Sequence, residues 1–200
     1  MTGPEQPSES VGRANGGRLV NGEQLPEHRM YRIRNADRAW GTNETIEFLV
    51  DAFDYMARRH GDAPRLPIHD LSDEDGGRLR GHRSHQSGRD ADIALYQTNC
   101  RSSCSFRSVS PSRLDVENEW ALISYWLEHD RVEYIFLDYR LQEVLYEYVE
   151  AQGASEAQLD EWFQYPHGRR SARGMIRHEP NHADHIHVRF ACDSDDAECR

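Results

Sequence analysis

The sequence predicts an α+β fold: a small, mainly antiparallel sheet with helices on one side of it. Two observations support this prediction. Apolar residues recur at helical spacing in four segments, and four other short segments carry the alternating or continuous apolar residues typical of strands. With 200 residues, the chain is long enough to bury a hydrophobic core as one domain.

Four helices follow from capping residues and apolar periodicity. The first begins near Thr42 or Asn43 and ends before Gly61, and the second follows Asp115. The third helix lies between the second and a fourth. The fourth begins at a capping box formed by Ser155 and Gln158. We assign the periodic apolar residues of these helices to the core: Ile46, Leu49, Val50, Phe53, Met56, Val116, Trp120, Ile123, Trp126, Leu127, Leu141, Val144, Leu145, Tyr148, Leu159, Trp162 and Phe163.

Strands are predicted at residues 66–71, 90–95, 132–137 and 185–191. The last of these alternates strictly, so its apolar residues face the core while His185, His187 and Arg189 share the other face. Two imidazoles two residues apart on a strand are separated by roughly 6–7 Å. One can therefore bind a metal while its neighbour acts on a water molecule at that metal. The alternative is an ordinary polar strand face.

The N-terminal residues differ in composition from the rest of the chain. Residues 1–18 are rich in Gly, Ser, Pro, Glu and Asn, which predicts a flexible tail before a domain at residues 19–200. The opening residues carry neither a charged n-region nor an apolar h-region, so we expect no signal peptide within this sequence. No run of about 18 apolar residues occurs, so we expect no transmembrane helix.

A second cluster of polar residues precedes the strand at 90–95. Residues 81–92 read GHRSHQSGRDAD, which places His85 on a glycine-punctuated turn and Asp92 on the strand that follows. This segment and the late segment HADHIH at 182–187 together hold five of the eleven histidines. An isolated His-Asp pair is weak evidence, but the two segments together indicate a metal site. His85, Asp92 and His187 would leave a fourth position open for water, as in catalytic rather than structural zinc sites.

The sequence resembles the penicillin-insensitive murein endopeptidases. The resemblance rests on residues 76–93 (GGRLRGHRSHQSGRDADI) and 182–192 (HADHIHVRFAC), and it extends from about residue 22 to residue 200. This family belongs to a superfamily with D-alanyl-D-alanine metallopeptidases, lysostaphin-type enzymes and hedgehog domains. The chain lacks an obvious Asp-x-x-His pair after the first motif, so the resemblance does not extend to a second metal site.

The resemblance implies specific roles for the histidines. Zinc would be held by the matching residues His85, Asp92 and His187, with His185 as the catalytic base. His82 matches a further histidine that would contact the metal, and His182 matches one that would assist at the active site. The substrate implied is peptidoglycan, cut at the cross-link between D-alanine and a diamino acid.

Two other functions share this ligand set. A zinc D,D-carboxypeptidase or dipeptidase would use the same residues in a more closed cleft. A non-enzymatic, zinc-stabilised cell-wall binding module would be expected to lose its catalytic base, and the presence of both His182 and His185 argues against it.

Two long loops are candidates for the walls of the substrate cleft, at residues 96–114 and 164–181. Within the second loop we select Tyr165, Arg177 and His178 as candidate substrate contacts. The alternative for these three residues is plain packing of the loop.

Four cysteines form two close pairs, Cys100 with Cys104 and Cys192 with Cys199. Two local disulfides are expected, because these spacings do not match the tight hooks of a four-cysteine zinc site. The murein endopeptidases have a similar pair at the position of Cys192 and Cys199. Disulfides indicate an oxidising compartment, so we expect a periplasmic or secreted protein.

The charge of the chain argues against nucleic acid as a partner. The formal net charge is −11, and the 24 basic residues are all arginine without forming a basic stripe. The sequence makes no prediction of oligomeric state.

Overall fold

The structure, a computed structural model, describes residues 7–200 and confirms the α+β class. Within these residues the helices are α1 (Asn43–Arg59), α2 (Val116–Glu128), α3 (Tyr139–Ala151) and α4 (Glu156–Trp162). The strands are β1 (Glu9–Arg13), β2 (Gly16–Val20), β3 (Glu23–Gln24), β4 (Tyr31–Ile33), β5 (Trp40–Gly41), β6 (Leu66–Ile68), β7 (Asp90–Ala94), β8 (Val132–Phe136), β9 (Ile176–Arg177) and β10 (His185–Phe190). Short 3-10 helices lie at Ala36–Arg38 and Pro111–Arg113.

A six-stranded sheet in the order β4-β6-β7-β10-β8-β9 forms the centre of the fold. Its three inner pairings, β6–β7, β7–β10 and β10–β8, are antiparallel, whereas β4 and β9 add to the edges in parallel. The sheet is therefore mainly antiparallel, as predicted. The edge strands β4 and β9 were not predicted, because they have only three and two residues; β6 is equally short, but it begins the longer apolar segment predicted at residues 66–71.

The predicted helix starts are confirmed by their caps. The Thr42 hydroxyl accepts the Thr45 N–H at 3.2 Å at the start of α1, and the Asp115 carboxylate accepts the Asn118 N–H at 3.2 Å at the start of α2. Ser155 and its glutamine form the predicted capping box of α4. Each cap satisfies backbone N–H groups that have no partner within the helix.

The core lies between the helices and one face of the sheet. Ile186, Val188 and Phe190 of β10 are completely buried, as the alternation predicts. The Phe190 ring packs against Phe48 of α1 and Trp126 of α2, with ring centroids 5.9 and 5.6 Å away. This packing covers one face of β10 and leaves the other face for the polar residues.

The predicted flexible tail is wrong for residues 9–18, which belong to the antiparallel hairpin of β1 and β2. The hairpin is held by the opposite end of the chain: the Gly12 N–H donates to the Glu198 carbonyl at 3.0 Å, and the Arg200 N–H donates to the Gly12 carbonyl at 3.0 Å. These partners are too distant in sequence for composition to indicate them. Residues 1–6 of the predicted tail lie outside the described residues.

Both predicted disulfides are present, one between Cys100 and Cys104 and one between Cys192 and Cys199. The first closes a turn within the loop that follows β7, and the second closes the segment after β10. In the part of the chain that the structure describes, no helix is long and apolar enough to cross a membrane.

Candidate metal centre and active-site cleft

The pairing of β7 with β10 brings the late histidines onto the early aspartate. His187 and Asp92 are direct partners in this antiparallel pair. Directly opposed residues point to the same face of a sheet, so the two side chains meet, with His187 Nδ1 3.0 Å from Asp92 Oδ1. Both side chains are buried.

His85 reaches the same carboxylate from the turn before β7. Its φ of 65° is uncommon for a residue other than glycine, and its N–H donates to Asp90 Oδ2 at 2.7 Å. The ring Nδ1 donates to the Leu71 carbonyl at 2.7 Å, which leaves Nε2 3.3 Å from Asp92 Oδ1. The turn thus orients the imidazole towards Asp92.

His82 contacts the second oxygen of the same carboxylate, with its Nδ1 3.6 Å from Asp92 Oδ2. One ligand atom each from His82, His85 and Asp92 lie within 4.8 Å of one another, close enough to share a metal ion. This group contains His82 and not His187, whereas the predicted ligands are His85, Asp92 and His187. His187 lies next to the group through its own contact of 3.0 Å with Asp92 Oδ1.

Four imidazoles at this centre each have one ring nitrogen bound to a fixed acceptor, which directs the other towards Asp92. Metal-binding histidines generally show this arrangement, because the outer hydrogen bond fixes both tautomer and orientation. The acceptors are the Leu71 carbonyl for His85 (2.7 Å), Asp70 Oδ2 for His82 (2.9 Å), Asp90 Oδ1 for His187 (3.1 Å) and Asp184 Oδ1 for His185 (2.6 Å).

Asp90 connects several of these groups. Its completely buried carboxylate accepts the His85 N–H, the His187 ring and Arg189 Nε, the last at 2.9 Å. Burial alone would raise the pKa of Asp90, but His187, His85 and Arg189 outweigh burial and hold the pKa far below its usual range. Asp90 is therefore ionised and fixes both His187 and the turn that carries His85.

Two buried atoms at the centre, His85 Nε2 and Asp92 Oδ1, form no hydrogen bond of normal geometry within residues 7–200, although they lie 3.3 Å apart and His187 Nδ1 is 3.0 Å from the same oxygen. A buried polar atom without a partner costs about 1–3 kcal/mol, and such atoms are uncommon in folded proteins. Nitrogen and oxygen ligands are among those that zinc prefers. The two atoms thus fit a bound metal ion, which would satisfy both of them.

The charges of His187 and Asp92 are strongly coupled. Burial disfavours the charged imidazole, yet the carboxylates of Asp90 and Asp92 outweigh burial and raise the pKa of His187 to about 9. His85 and His187 likewise hold the pKa of Asp92 well below its usual range despite burial. A metal ion binding to His187 would have to displace a proton, so metal binding should weaken as the pH falls.

His185 lies at the edge of this group. Its Nδ1 donates to Asp184, and its Nε2 is 3.7 Å from Asp92 Oδ1. One face of the ring stacks on Phe106, with centroids 4.9 Å apart and planes 21° apart. The geometry therefore presents Nε2 of His185 as a proton acceptor next to the candidate metal ligands.

His182 lies beside His185, with ring centroids 4.7 Å apart. Its Nδ1 donates to the Pro180 carbonyl at 3.0 Å. Burial, together with the neighbouring His185 and His187, lowers the pKa of His182 to about 4. The ring is therefore neutral near pH 7, with Nε2 unprotonated.

These residues line an open cleft of about 720 Å³. Its walls come from the turn before β7, the segment before β10, the exposed faces of β8 and β10, and the tip of the N-terminal hairpin. The lining residues are Asn15, Gly81, His82, Arg83, Ser84, His85, Asp92, Phe136, Glu179, Pro180, Asn181, His182, His185, His187 and Arg189.

A sequence profile of the penicillin-insensitive murein endopeptidases matches residues 10–200, which include both histidine segments. The chain belongs to this family. It is accordingly a murein endopeptidase, and peptidoglycan is the substrate class that the family implies. No curated protein sequence matches the chain.

The three candidate substrate contacts of this endopeptidase do not line the cleft. The Tyr165 hydroxyl bonds Glu143 at 3.2 Å, and His178 Nδ1 accepts the Tyr139 N–H at 3.1 Å. Arg177 lies with its guanidinium carbon 4.4 Å from the centre of the Tyr134 ring. Loop packing accounts for the positions of Tyr165 and His178, whereas Arg177 faces the same sheet surface as the cleft.

Sequence reasoning missed several residues of the endopeptidase site. Asp70 and Leu71 hold His82 and His85, but they lie in the short segment after β6, which carries no motif. Phe106 touches His185 from a loop whose course cannot be inferred from composition. Asn15 reaches the cleft only because the N-terminal hairpin folds against the chain, with the Gln86 N–H donating to the Ala14 carbonyl at 3.1 Å.

Proposed function

We propose that this endopeptidase is zinc-dependent and hydrolyses the murein cross-link between D-alanine and a diamino acid. The observation that carries the proposal is the convergence of imidazole nitrogens on the buried carboxylate of Asp92. Two of the atoms at this point, His85 Nε2 and Asp92 Oδ1, form no hydrogen bond of normal geometry among the described residues. Metal binding is the simplest explanation of so many ligand atoms directed at one point.

The ligands in this proposal are His85 through Nε2, His187 through Nδ1, and a carboxylate oxygen of Asp92, with His82 as a further contact. His85, His187 and Asp92 alone would leave one position of a tetrahedral zinc site for water, as is typical of catalytic zinc, and contact with His82 as well would make the site five-coordinate once water is bound. When bound, zinc supplies a Lewis acid that activates water and polarises the scissile carbonyl.

The protein's own side chains move the protons. His185 takes the proton of the attacking water at Nε2, because Asp184 keeps the proton of Nδ1 in place. The same nitrogen then delivers the proton to the leaving amine. His182, neutral and 4.7 Å from His185 between ring centroids, orients this network through its unprotonated Nε2.

A periplasmic or extracellular location is part of the proposal. Murein lies outside the cytoplasmic membrane, and both disulfides require an oxidising compartment.

Digestion of purified cell-wall sacculi tests this function. We expect cross-linked muropeptide dimers to be converted to monomers, a chelator to stop the reaction, and added zinc to restore it. Penicillin should have no effect, because β-lactams trap a serine nucleophile and no covalent intermediate forms here. Activity that survives chelation but is lost with penicillin would refute the proposal. Release of free D-alanine without loss of dimers would instead favour the D,D-carboxypeptidase.

A further inference from the structure

The sheet surface next to the metal centre carries an arginine and aromatic cluster. In the pairing of β10 with β8, Phe136 lies opposite His187 and Tyr134 lies opposite Arg189. In the pairing of β8 with β9, Arg177 lies next to Phe136. Because partners in adjacent strands share a face, this surface continues directly from the metal ligands. We call Tyr134, Arg177 and Arg189 the arginine platform.

The two guanidinium groups converge on one ring. The guanidinium carbon of Arg177 is 4.4 Å from the Tyr134 ring centroid, and that of Arg189 is 6.0 Å away. Cation–π contact with the ring holds both charges near the surface at this place. Arg189 also lines the cleft, so the platform is continuous with the catalytic space.

Both arginines are fixed through Nε alone. Arg177 Nε donates to the Gly174 carbonyl at 2.7 Å, and Arg189 Nε donates to Asp90 at 2.9 Å. Within residues 7–200, the terminal amino groups of both side chains form no hydrogen bond, and Arg177 forms no ion pair. An arginine oriented in this way presents paired donors that match the two oxygens of a carboxylate.

We propose that the arginine platform is a subsite for a free carboxylate of the peptide stem of murein. The inference rests on the proposed function for its substrate, since stem peptides carry free carboxylates near the cross-link. A chain with a net charge of −11 repels such a group in general. The charge of Arg189 is compensated by Asp90, so the guanidinium of Arg177, which has no ion pair within residues 7–200, would supply the attraction, and the remaining N–H groups of Arg189 would add hydrogen-bond donors.

The first test measures binding of a monomeric stem tetrapeptide by calorimetry, so that it does not depend on turnover. The peptide is compared with a derivative whose carboxylates are converted to primary amides. We expect wild-type protein to bind the carboxylate form about tenfold more tightly, and Arg177→Gln to remove this preference. Arg177→Lys should keep part of it. The matched control is Arg173→Gln, an exposed arginine of the same loop, which should behave as wild type.

The second test repeats the comparison with cross-linked dimers as substrates. We expect Arg177→Gln to raise KM about tenfold for the carboxylate dimer and to leave KM for the amidated dimer unchanged. Zinc content measured on the same samples should not change, because Arg177 contacts no ligand of the metal.

Each outcome has a distinct meaning. Equal losses for carboxylate and amide forms, or no loss in Arg177→Gln, would overturn the subsite. Wild-type protein that binds the stem peptide with the expected preference but does not cleave the dimer would preserve the subsite and refute the proposed function.

Discussion

At the scale of single residues, the candidate metal centre is built around one buried carboxylate. Transfer of a carboxylate out of water is costly unless it is compensated by opposite charge, by hydrogen bonds or by a metal. Asp92 meets imidazole nitrogens of His187, His85, His82 and His185 at 3.0 to 3.7 Å. Each of these nitrogens is directed by a second acceptor, so the arrangement is preorganised for a cation.

The two histidines of β10 should separate metal binding from catalysis. His187→Ala removes one of the three expected ligands, so we expect tight zinc binding to be lost. His185→Ala leaves those ligands in place and should retain zinc, while turnover falls by about 10²–10⁴-fold through loss of the general base. Elemental analysis and kinetics on both variants distinguish the two roles. Loss of zinc from His185→Ala with retention by His187→Ala would show that the roles are exchanged.

At the scale of elements, strand register decides whether the site exists. The antiparallel pairing of β7 with β10 places His187 opposite Asp92, and a shift of one residue would turn either side chain into the core. The apolar alternation of β10 fixes that register, because Ile186, Val188 and Phe190 must remain buried. The same alternation made the strand and its exposed histidines predictable from sequence.

The loop after β7 supports His185, the proposed catalytic base. Phe106 lies between His69 and His185, with ring centroids 3.4 and 4.9 Å away. The loop is held on both sides of Phe106: the Cys104 N–H donates to the Arg65 carbonyl at 2.9 Å, and the Val109 N–H donates to the Ala183 carbonyl at 2.7 Å.

We expect Phe106→Ala to lower kcat about tenfold with little change in KM or zinc content, because the His185 ring would lose its stacking partner. Phe106→Tyr should retain most of the activity. In a His185→Ala background, Phe106→Ala should have no further effect on kcat. Independent, additive losses from the two substitutions would show that Phe106 does not act through His185.

The contact between α2 and the end of β7 should make stability depend on pH. Glu119 of α2 is completely buried, and its Oε2 accepts the Tyr96 N–H at 2.8 Å. Burial raises the pKa of Glu119 from 4.5 to about 8. The folded state therefore binds a proton that the unfolded state releases between these values, so this group lowers the free energy of unfolding as pH rises from about 4.5 to 8.

Glu119→Gln should remove this contribution. As pH rises, we expect the free energy of unfolding of the variant to increase relative to that of the wild type, by at most about 1.4 kcal/mol per pH unit. Denaturant unfolding from pH 4.5 to 8 measures the difference and cancels contributions from the metal centre, which is common to both proteins. A difference that does not change with pH would show that Glu119 is ionised throughout.

At the scale of the whole molecule, the sequence predicted the parts of the fold that follow from local patterns. The four helices and the four inner strands of the central sheet, β6, β7, β10 and β8, were predictable, because caps and apolar patterns are local. The N-terminal hairpin was missed, since Gly12 and its neighbours pair with residues 198–200 rather than following an apolar pattern. The cleft wall at Asn15 was missed for the same reason.

In the candidate site, the residues within motifs were predicted and the residues that support them were missed. The two histidine segments could be recognised because His85, Asp92 and His187 lie in motifs with characteristic spacing. Their supporting residues, such as Asp70 and Phe106, come from segments without such motifs. Chain topology, and not local sequence, brings these residues to the centre.

Anomalous diffraction from crystals grown with zinc tests the metal centre most directly. Data collected on both sides of the zinc absorption edge should give one strong peak, about 2.0–2.2 Å from His85 Nε2, an Asp92 oxygen and His187 Nδ1. A strong peak at another place, a peak held by His82, His85 and Asp92 without His187, or no peak at saturating zinc would contradict the assignment.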